Sequence, residues 1–369
     1  MTSATGPFER AVARVNLDAV RSNCARLSEG PALCAVVKAD GYGHGAKECA
    51  LAAQDGGATW LAVATAREAA GLRADGLEGP ILVMGALTAE EAKVAIGAGA
   101  DVVAWSSEFL AGLPRGAGRP RVHVKLDTGM GRLGARDSAE ASRIAGEVAS
   151  DDALELVGLM THFATADELG DDLFPRQIES FTEWAHQMRA LHGELVVHAA
   201  NSAATLRDAA AHFDMVRCGV AIYGLDPFQR DPGEHGLEPA LSLESYVARV
   251  ARFEPGESAG YGRRWTAAEP TWVATVPIGY GDGWRRALSN NCDLLIGGRR
   301  HALVGTVSMD NVTVELGPET DVRTGDQVVL LGSQGEERIL AEEVAERLDT
   351  INYEVVCGLS SRVPRRYEP

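Results

Sequence analysis

A short apolar run, a loop and then an Ala-rich amphipathic stretch follow one another repeatedly through the first two-thirds of this chain, and no other feature constrains its fold as strongly. The apolar runs are Leu33–Val37, Trp60–Val63, Ile81–Met84, Asp101–Ala104, Val122–Leu126, Leu154–Met160, Leu195–His198 and Asp214–Arg217. Between them, Ala46–Gln54, Ala66–Arg73, Ala89–Ile96, Ser138–Ala149, Gln177–Leu191 and Ser202–Ala210 space apolar residues three and four apart, the period of a helix with one buried face. Strands alternating with helices predict parallel βαβ units, and this number of units in so short a stretch fits a (β/α)8 TIM-type barrel better than an open sheet.

The rhythm stops at Asp231-Pro232-Gly233. Beyond it come Tyr246–Phe253, Trp272–Val276, Asp293–Ile296, Ala302–Val307, Val312–Glu315 and Gln327–Leu331, with Gly297-Gly298 as a hairpin signal and one helix around Ala341–Leu348. The expected layout is an α/β barrel at 12–235 and a mostly β C-terminal domain at 236–369. Residues 1–11 form an N-terminal segment expected to pair with that domain, and the same is expected of the apolar run Ala11–Leu17.

Composition excludes several classes. Lys and Arg total 35 against 52 Asp and Glu, a net charge of −17, which disfavours nucleic acid and anionic membrane as partners. No run reaches the roughly 18 apolar residues of a membrane span, and Met1 to Leu17 lacks the apolar core of a signal peptide. Cys24, Cys34, Cys49, Cys218, Cys292 and Cys357 are scattered without a C-x-x-C pair, as expected of reduced thiols in a cytoplasmic protein. No metal site is expected.

In a barrel the chemistry gathers at the C-terminal ends of the strands. The first run ends in Val37-Lys38-Ala39-Asp40-Gly41-Tyr42-Gly43-His44-Gly45. A desolvated lysine has a lowered pKa and is a competent amine for a Schiff base; a lysine capping a strand over a polar rim is the equal alternative. The fifth run leads into Lys125-Leu126-Asp127-Thr128-Gly129-Met130-Gly131-Arg132-Leu133-Gly134. Its G-x-G-x-x-G lacks the strand-to-helix context of a dinucleotide site. Arg132 suits a carboxylate fork, while Lys125 and Asp127 read equally as an ion pair. Thr161-His162-Phe163, Asn201-Ser202 and Arg217-Cys218-Gly219-Val220 follow the last three runs. His162 alone reads as structural, and Asn201-Ser202 serves either a phosphate or an N-cap. Together the rim offers an amine, a carboxylate clamp and a phosphate cradle, which points to pyridoxal 5′-phosphate (PLP) acting on an amino acid.

Ala35 through Gly45 resembles the PLP-lysine motif of alanine racemases, and the likeness spans essentially the whole chain. It includes Asp127–Gly134, Thr161–Phe163, Asn201-Ser202, Arg217–Gly224, Ala259–Gly262, Ile278–Gly283, Ser308–Asp310 and Ile351–Glu354. The resemblance implies a homodimer with shared active sites. Lys38 would hold PLP and act as one base, and Tyr261 of the partner subunit would be the other. Tyr42, Ser202, Gly219, Val220 and Tyr353 would surround the cofactor phosphate, Arg217 would face the pyridine nitrogen, and His162 would link Arg217 to Tyr261. Arg132, with Met309 of the partner, would bind the substrate carboxylate, and Tyr280 would narrow the entry. Lys125 matches a position carbamylated in some members. The implied reaction interconverts L- and D-alanine, supplying D-alanine for cell-wall peptidoglycan. The readings that compete with it are serine as main substrate, a PLP decarboxylase of the same two-domain plan, a non-catalytic PLP-binding barrel and a nicotinamide oxidoreductase. The decarboxylase would need a catalytic cysteine near Ser308-Met309-Asp310, and the non-catalytic barrel would lack the tail. Tyrosines in β domains are usually packing residues; Gly260 and Gly262 beside Tyr261, with the resemblance, reverse that expectation.

Overall fold

The computed structural model describes residues 9–115 and 118–369. The chain divides into two compact units, Val20–Ile222 with His235–Leu237, and the remainder.

The first strand, β1 (Ala11–Asn16), moves the expected boundary. It lies in the sheet of the second unit, antiparallel to β10 (Leu241–Tyr246) and parallel to β20 (Arg365–Glu368). The barrel unit therefore begins within the helix Leu17–Leu27 and not at residue 12. The cause is burial: Ala11, Val12, Ala13 and Val15 are all buried, and a strand covered on both faces must sit inside a sheet. Residues 1–8 of the N-terminal segment lie outside the described residues.

In the barrel unit, β2 (Ala32–Val36), β3 (Ala58–Val63), β4 (Ile81–Val83), β5 (Asp101–Ala104), β6 (Arg121–Lys125), β7 (Glu155–Met160), β8 (Val196–His198) and β9 (Met215–Cys218) close into a parallel barrel, β9 pairing back to β2. The helices between them follow the sequence pattern, with capping boxes at Thr65/Glu68 and Thr88/Glu91 stopping the loops that precede them. Helix Ser107–Gly112 was not expected; with 6 residues it is too short to show a period. Five of the cysteines, Cys24, Cys34, Cys49, Cys218 and Cys292, are buried, and burial raises each thiol's pKa.

The second unit is built on β11 (Arg249–Phe253), β12 (Ser258–Ala259), β13 (Trp265–Thr266), β14 (Thr271–Val276), β15 (Asp293–Ile296), β16 (Arg299–Val304), β17 (Val312–Gly317), β18 (Gln327–Gln334) and β19 (Glu337–Ile339), together with β1, β10 and β20. The run Tyr246–Phe253 is two strands, not one, broken at Val247-Ala248. Gly297 and Gly298, at φ 60° and 74°, make the two-residue turn joining β15 to β16, since that turn needs two left-handed residues. The unit holds a second helix besides Ala341–Leu348, namely Asn352–Cys357, which carries Tyr353.

Candidate active site

Lys38 stands at the end of β2, and the chain then does something its composition does not announce. Ala39, Asp40, Gly41 and Tyr42 all take left-handed backbone, at φ 52°, 53°, 60° and 52°. Each non-glycine residue there costs about 1–2 kcal/mol. The turn is held by Gly41 N–H to Val37 O, Gly43 N–H to Ala39 O and Gly45 N–H to Asp40 O. Two carboxylates fasten it further. Asp40 Oδ1 accepts from Ala46 N–H at 3.0 Å, and Glu68 Oε1 accepts from Ala39 N–H at 2.7 Å. Glu68 Oε2 at the same time accepts from Ala64 and Thr65, so one capping residue ties two loops together. The turn brings the Tyr42 ring beneath Lys38, whose Nζ lies 5.8 Å from the ring centre. Tyr42 Oη also reaches Gly219, where an added Cβ would sit only 2.3 Å from that oxygen. Beside it, buried Ser202 accepts from the N–H groups of Gly219 and Ala221 at 3.1 and 3.3 Å, while Asn201 caps its own helix through Ala204 N–H. Val220 is buried with them.

Arg217, on β9, is 2% exposed, and among the described residues no carboxylate lies within ion-pair distance of it. Its Nη2 donates to Thr161 O, Ala199 O and His162 Nδ1, and its Nη1 donates to His198 Nδ1. Its Nε–H is buried with no acceptor among the described residues. Burial lowers the guanidinium to about 10, so it remains a cation near neutrality. His162 accepts from Arg217 at Nδ1, and its only N–H is therefore at Nε2. Burial, with Arg217, Lys125, Arg132 and Lys38 around it, pushes its pKa well below the usual 6.5 and keeps the ring neutral. Lys125, buried at the end of β6, is lowered to about 8, first by burial and then by Arg217 and Arg132. Lys38, Lys125, Arg132 and Arg217, around the neutral His162, thus crowd one mouth of the barrel with positive charge. A dianionic phosphate and a carboxylate are the ligands such a mouth favours.

The Lys125–Asp127 ion pair, one of the two readings of these residues, does not form. Asp127 turns back into its own loop, accepting from Gly129 and Gly131 N–H at 3.1 Å, and that loop closes through Asp127 N–H to Ala135 O and Ala135 N–H to Lys125 O. Gly134 is required there, because a Cβ would lie 2.7 Å from the Asp127 nitrogen. The glycines of G-x-G-x-x-G serve this closed loop, and no helix starts until Ser138.

The remaining expected residues lie in the second unit. Tyr261, Tyr280 and Met309 are 73%, 43% and 51% exposed, unusual for large apolar side chains. One segment braces all three. Thr306 Oγ1 donates to Tyr261 O, Tyr280 N–H to Ser308 O, and Gly281 N–H to Met309 O. Gly260 and Gly262 carry Tyr261 through left-handed backbone at φ 74° and 73°. Tyr353 is half-buried beside Asn352, whose side chain bonds Asp226 O, Glu342 and Gln229.

Sequence reasoning missed Glu68 and a buried set behind Arg217, namely Asp101, His123 and His198. The signal was present, since each of these three is a titratable residue within a barrel strand.

A closed parallel barrel with basic side chains gathered at its rim, joined in one chain to a mostly β unit, is the class of protein that the fold and site define. Residues 15–227 match the model of the alanine racemase N-terminal domain and residues 240–367 that of its C-terminal domain. The chain is 44% identical over 363 residues to an alanine racemase of Symbiobacterium thermophilum, covering 96% of each, and 41% identical to alanine racemase 1 of Bacillus subtilis, covering 99% of this chain and 95% of that one. The crystal structure of alanine racemase from E. faecalis superposes with a TM-score of 0.91 at 37% identity, covering 99% of this chain and 100% of that one. That of the Bacillus anthracis enzyme with bound L-Ala-P superposes at 0.90 with 36% identity, covering 99% and 96%. The chain belongs to the alanine racemase family, and it is an isomerase.

Proposed function

We propose that this protein racemises alanine with PLP attached at Lys38, by two bases on opposite faces of the substrate: Lys38 and, from the partner subunit of a homodimer, Tyr261. The family is PLP-dependent, and the residues present fit that group. The observation that carries the reading is the buried Nε–H of Arg217, a donor left for the pyridine nitrogen. The close approach of Tyr42 to Gly219 beside Ser202 offers a cradle for the phosphate, with Val220 and Tyr353 completing it. When bound, PLP supplies the electron sink that acidifies the substrate α-carbon.

The chain's own groups then divide the work. Arg132 forks the substrate carboxylate with the Met309 backbone of the partner. Lys38 Nζ takes or returns the α-proton on one face, and Tyr261 Oη does so on the other. A single base would have to cross the substrate plane, whereas with two bases the acid of one direction is the base of the reverse. Phenols titrate near 10, so Tyr261 needs help to act as a base. Neutral His162, with its N–H at Nε2, is the donor that would stabilise the phenolate, and the nearby cations act in the same sense. Arg217 at the pyridine nitrogen does not protonate it as a carboxylic acid would, which makes a weaker sink and limits side reactions. Tyr280 and Tyr353 narrow the entrance and favour a small side chain.

Lys125 is proposed to be carbamylated. A buried amine lowered to about 8 has the free lone pair that attacks CO2, releasing its proton as the N–C bond forms. The product replaces a cation that repels Arg132 with an anion that holds it; a mass shift on Lys125 tests this. The enzyme would act in the cytoplasm, supplying D-alanine for peptidoglycan; among the described residues no helix is long and apolar enough to cross a membrane. The deciding experiment follows D-alanine formation from L-alanine by purified protein before and after PLP is stripped. D-alanine that forms only with PLP supports the reading, and equal rates without PLP overturn it.

A further inference from the structure

Behind Arg217 a single file of hydrogen bonds crosses the inside of the barrel. Arg217 Nη1 meets His198 Nδ1 at 2.9 Å, His198 Nε2 meets His123 Nδ1 at 2.9 Å, and His123 Nε2 meets Asp101 Oδ2 at 3.1 Å. Asp101 Oδ1 in turn accepts from Arg121 Nε at 2.9 Å. His123, His198 and Asp101 are at most 1% exposed, so the links from Arg217 to Asp101 are shielded from water, and only Arg121 at the far end is partly exposed.

Donor–acceptor logic orients the file without ambiguity. Arginine has no lone pair to offer, so His198 Nδ1 must accept. His198 then carries its N–H at Nε2 and donates it to His123 Nδ1, and His123 donates from Nε2 to the Asp101 carboxylate. All the links point from Arg217 toward Asp101, and both rings are neutral. The barrel makes room for the pair. A Cβ on Gly158 would lie 2.5 Å from His123 Nδ1, and the Trp60 ring meets His123 edge-on at 5.6 Å. Burying a cation without a counter-charge is costly. In this file the counter-charge is present but two rings away, which leaves the Arg217 Nε uncommitted.

We propose that Asp101, His123 and His198 are positioning residues, a one-way relay that sets the orientation and charge of Arg217 toward bound PLP. The inference rests on the role assigned to Arg217 above.

The first test needs no variant and no turnover. In protein with 15N-labelled histidine, His123 and His198 should both appear as neutral rings protonated at Nε2. Protonation at Nδ1 of either ring overturns the relay. The second test measures PLP dissociation and alanine kinetics. His198→Leu and Asp101→Asn should each weaken PLP binding and lower kcat about tenfold, with KM for alanine nearly unchanged, while the double variant should lose no more than His198→Leu alone, as for links in series. His198→Gln, which keeps an acceptor and a donor, should recover part of the loss. Variants that lower only the melting temperature, with PLP dissociation and kcat as in the parent, overturn the proposal, as do losses that multiply in the double variant. In either case a parent enzyme still making D-alanine leaves the function standing; a parent that binds no PLP removes the function itself.

Discussion

The two sets of residues assigned to this chemistry are held in opposite ways. At the barrel rim, Lys38, Lys125, His162, Ser202 and Arg217 are positioned by side-chain bonds, strained backbone and burial, and the pKa values of Lys125 and His162 are lowered first by burial and then by their cationic neighbours. In the β unit, Tyr261, Tyr280 and Met309 are exposed, and their loops are braced through main-chain atoms by the segment Thr306–Met309. The difference teaches where electrostatics is tuned. A buried cluster fixes pKa values within one chain, whereas an exposed phenol takes its acidity from whatever it is placed against.

Four experiments can break or sharpen that contrast. Tyr261→Phe removes a proton-transfer group without touching the core; it should slow racemisation by about 10²–10⁴-fold in both directions at unchanged melting temperature, while in heavy water exchange of the α-hydrogen of L-alanine should fall much further than that of D-alanine, which Lys38 still serves. Mild losses, with exchange from the two enantiomers reduced equally, would count against the second base. Arg217→Glu should slow racemisation by roughly 10²-fold and raise transamination, measured as pyruvate formed, because a carboxyl group keeps the pyridine nitrogen protonated. Lys125 gives a pH signature. Its folded pKa of about 8 lies below the ordinary lysine value, so the unfolded chain binds more protons in between. In CO2-free buffer, stability against urea should therefore rise between pH 8 and about 10.4, by up to roughly 3 kcal/mol, and Lys125→Met should flatten that slope. Glu68→Ala should cost about 1–2 kcal/mol by freeing three N–H groups, and should raise the PLP dissociation constant as the turn after Lys38 loosens. A stability loss with unchanged PLP affinity would show that the turn holds itself.

The barrel was legible because its signals are local. Helical and strand periodicity, capping residues and Gly297-Gly298 act over a few residues, and the eight runs coincide with β2–β9 to within a residue or two at most ends. The expected site residues were legible for a related reason: strand ends are where a polar side chain stands out against an apolar run, as Lys38 does after Val36-Val37. The misses were of another kind. Ala11–Asn16 pairs with the C-terminal unit as expected, but which strands receive it, Leu241–Tyr246 and Arg365–Glu368, could not be read locally because they lie far along the chain. Ala39, Asp40 and Tyr42 carry no hint of left-handed backbone, since their conformation is imposed by bonds to Val37, Glu68 and Ala46.

By itself, then, the order of residues determined the repeating units, the break near residue 232 and which side chains face the strand ends, all consequences of short-range sterics and hydrophobic period. Only the closed barrel decided that Asp101, His123, His198 and Arg217, drawn from four separate strands, stand in hydrogen-bonding file. A buried hydrogen bond depends on a match of position and dielectric that exists only after distant strands have met.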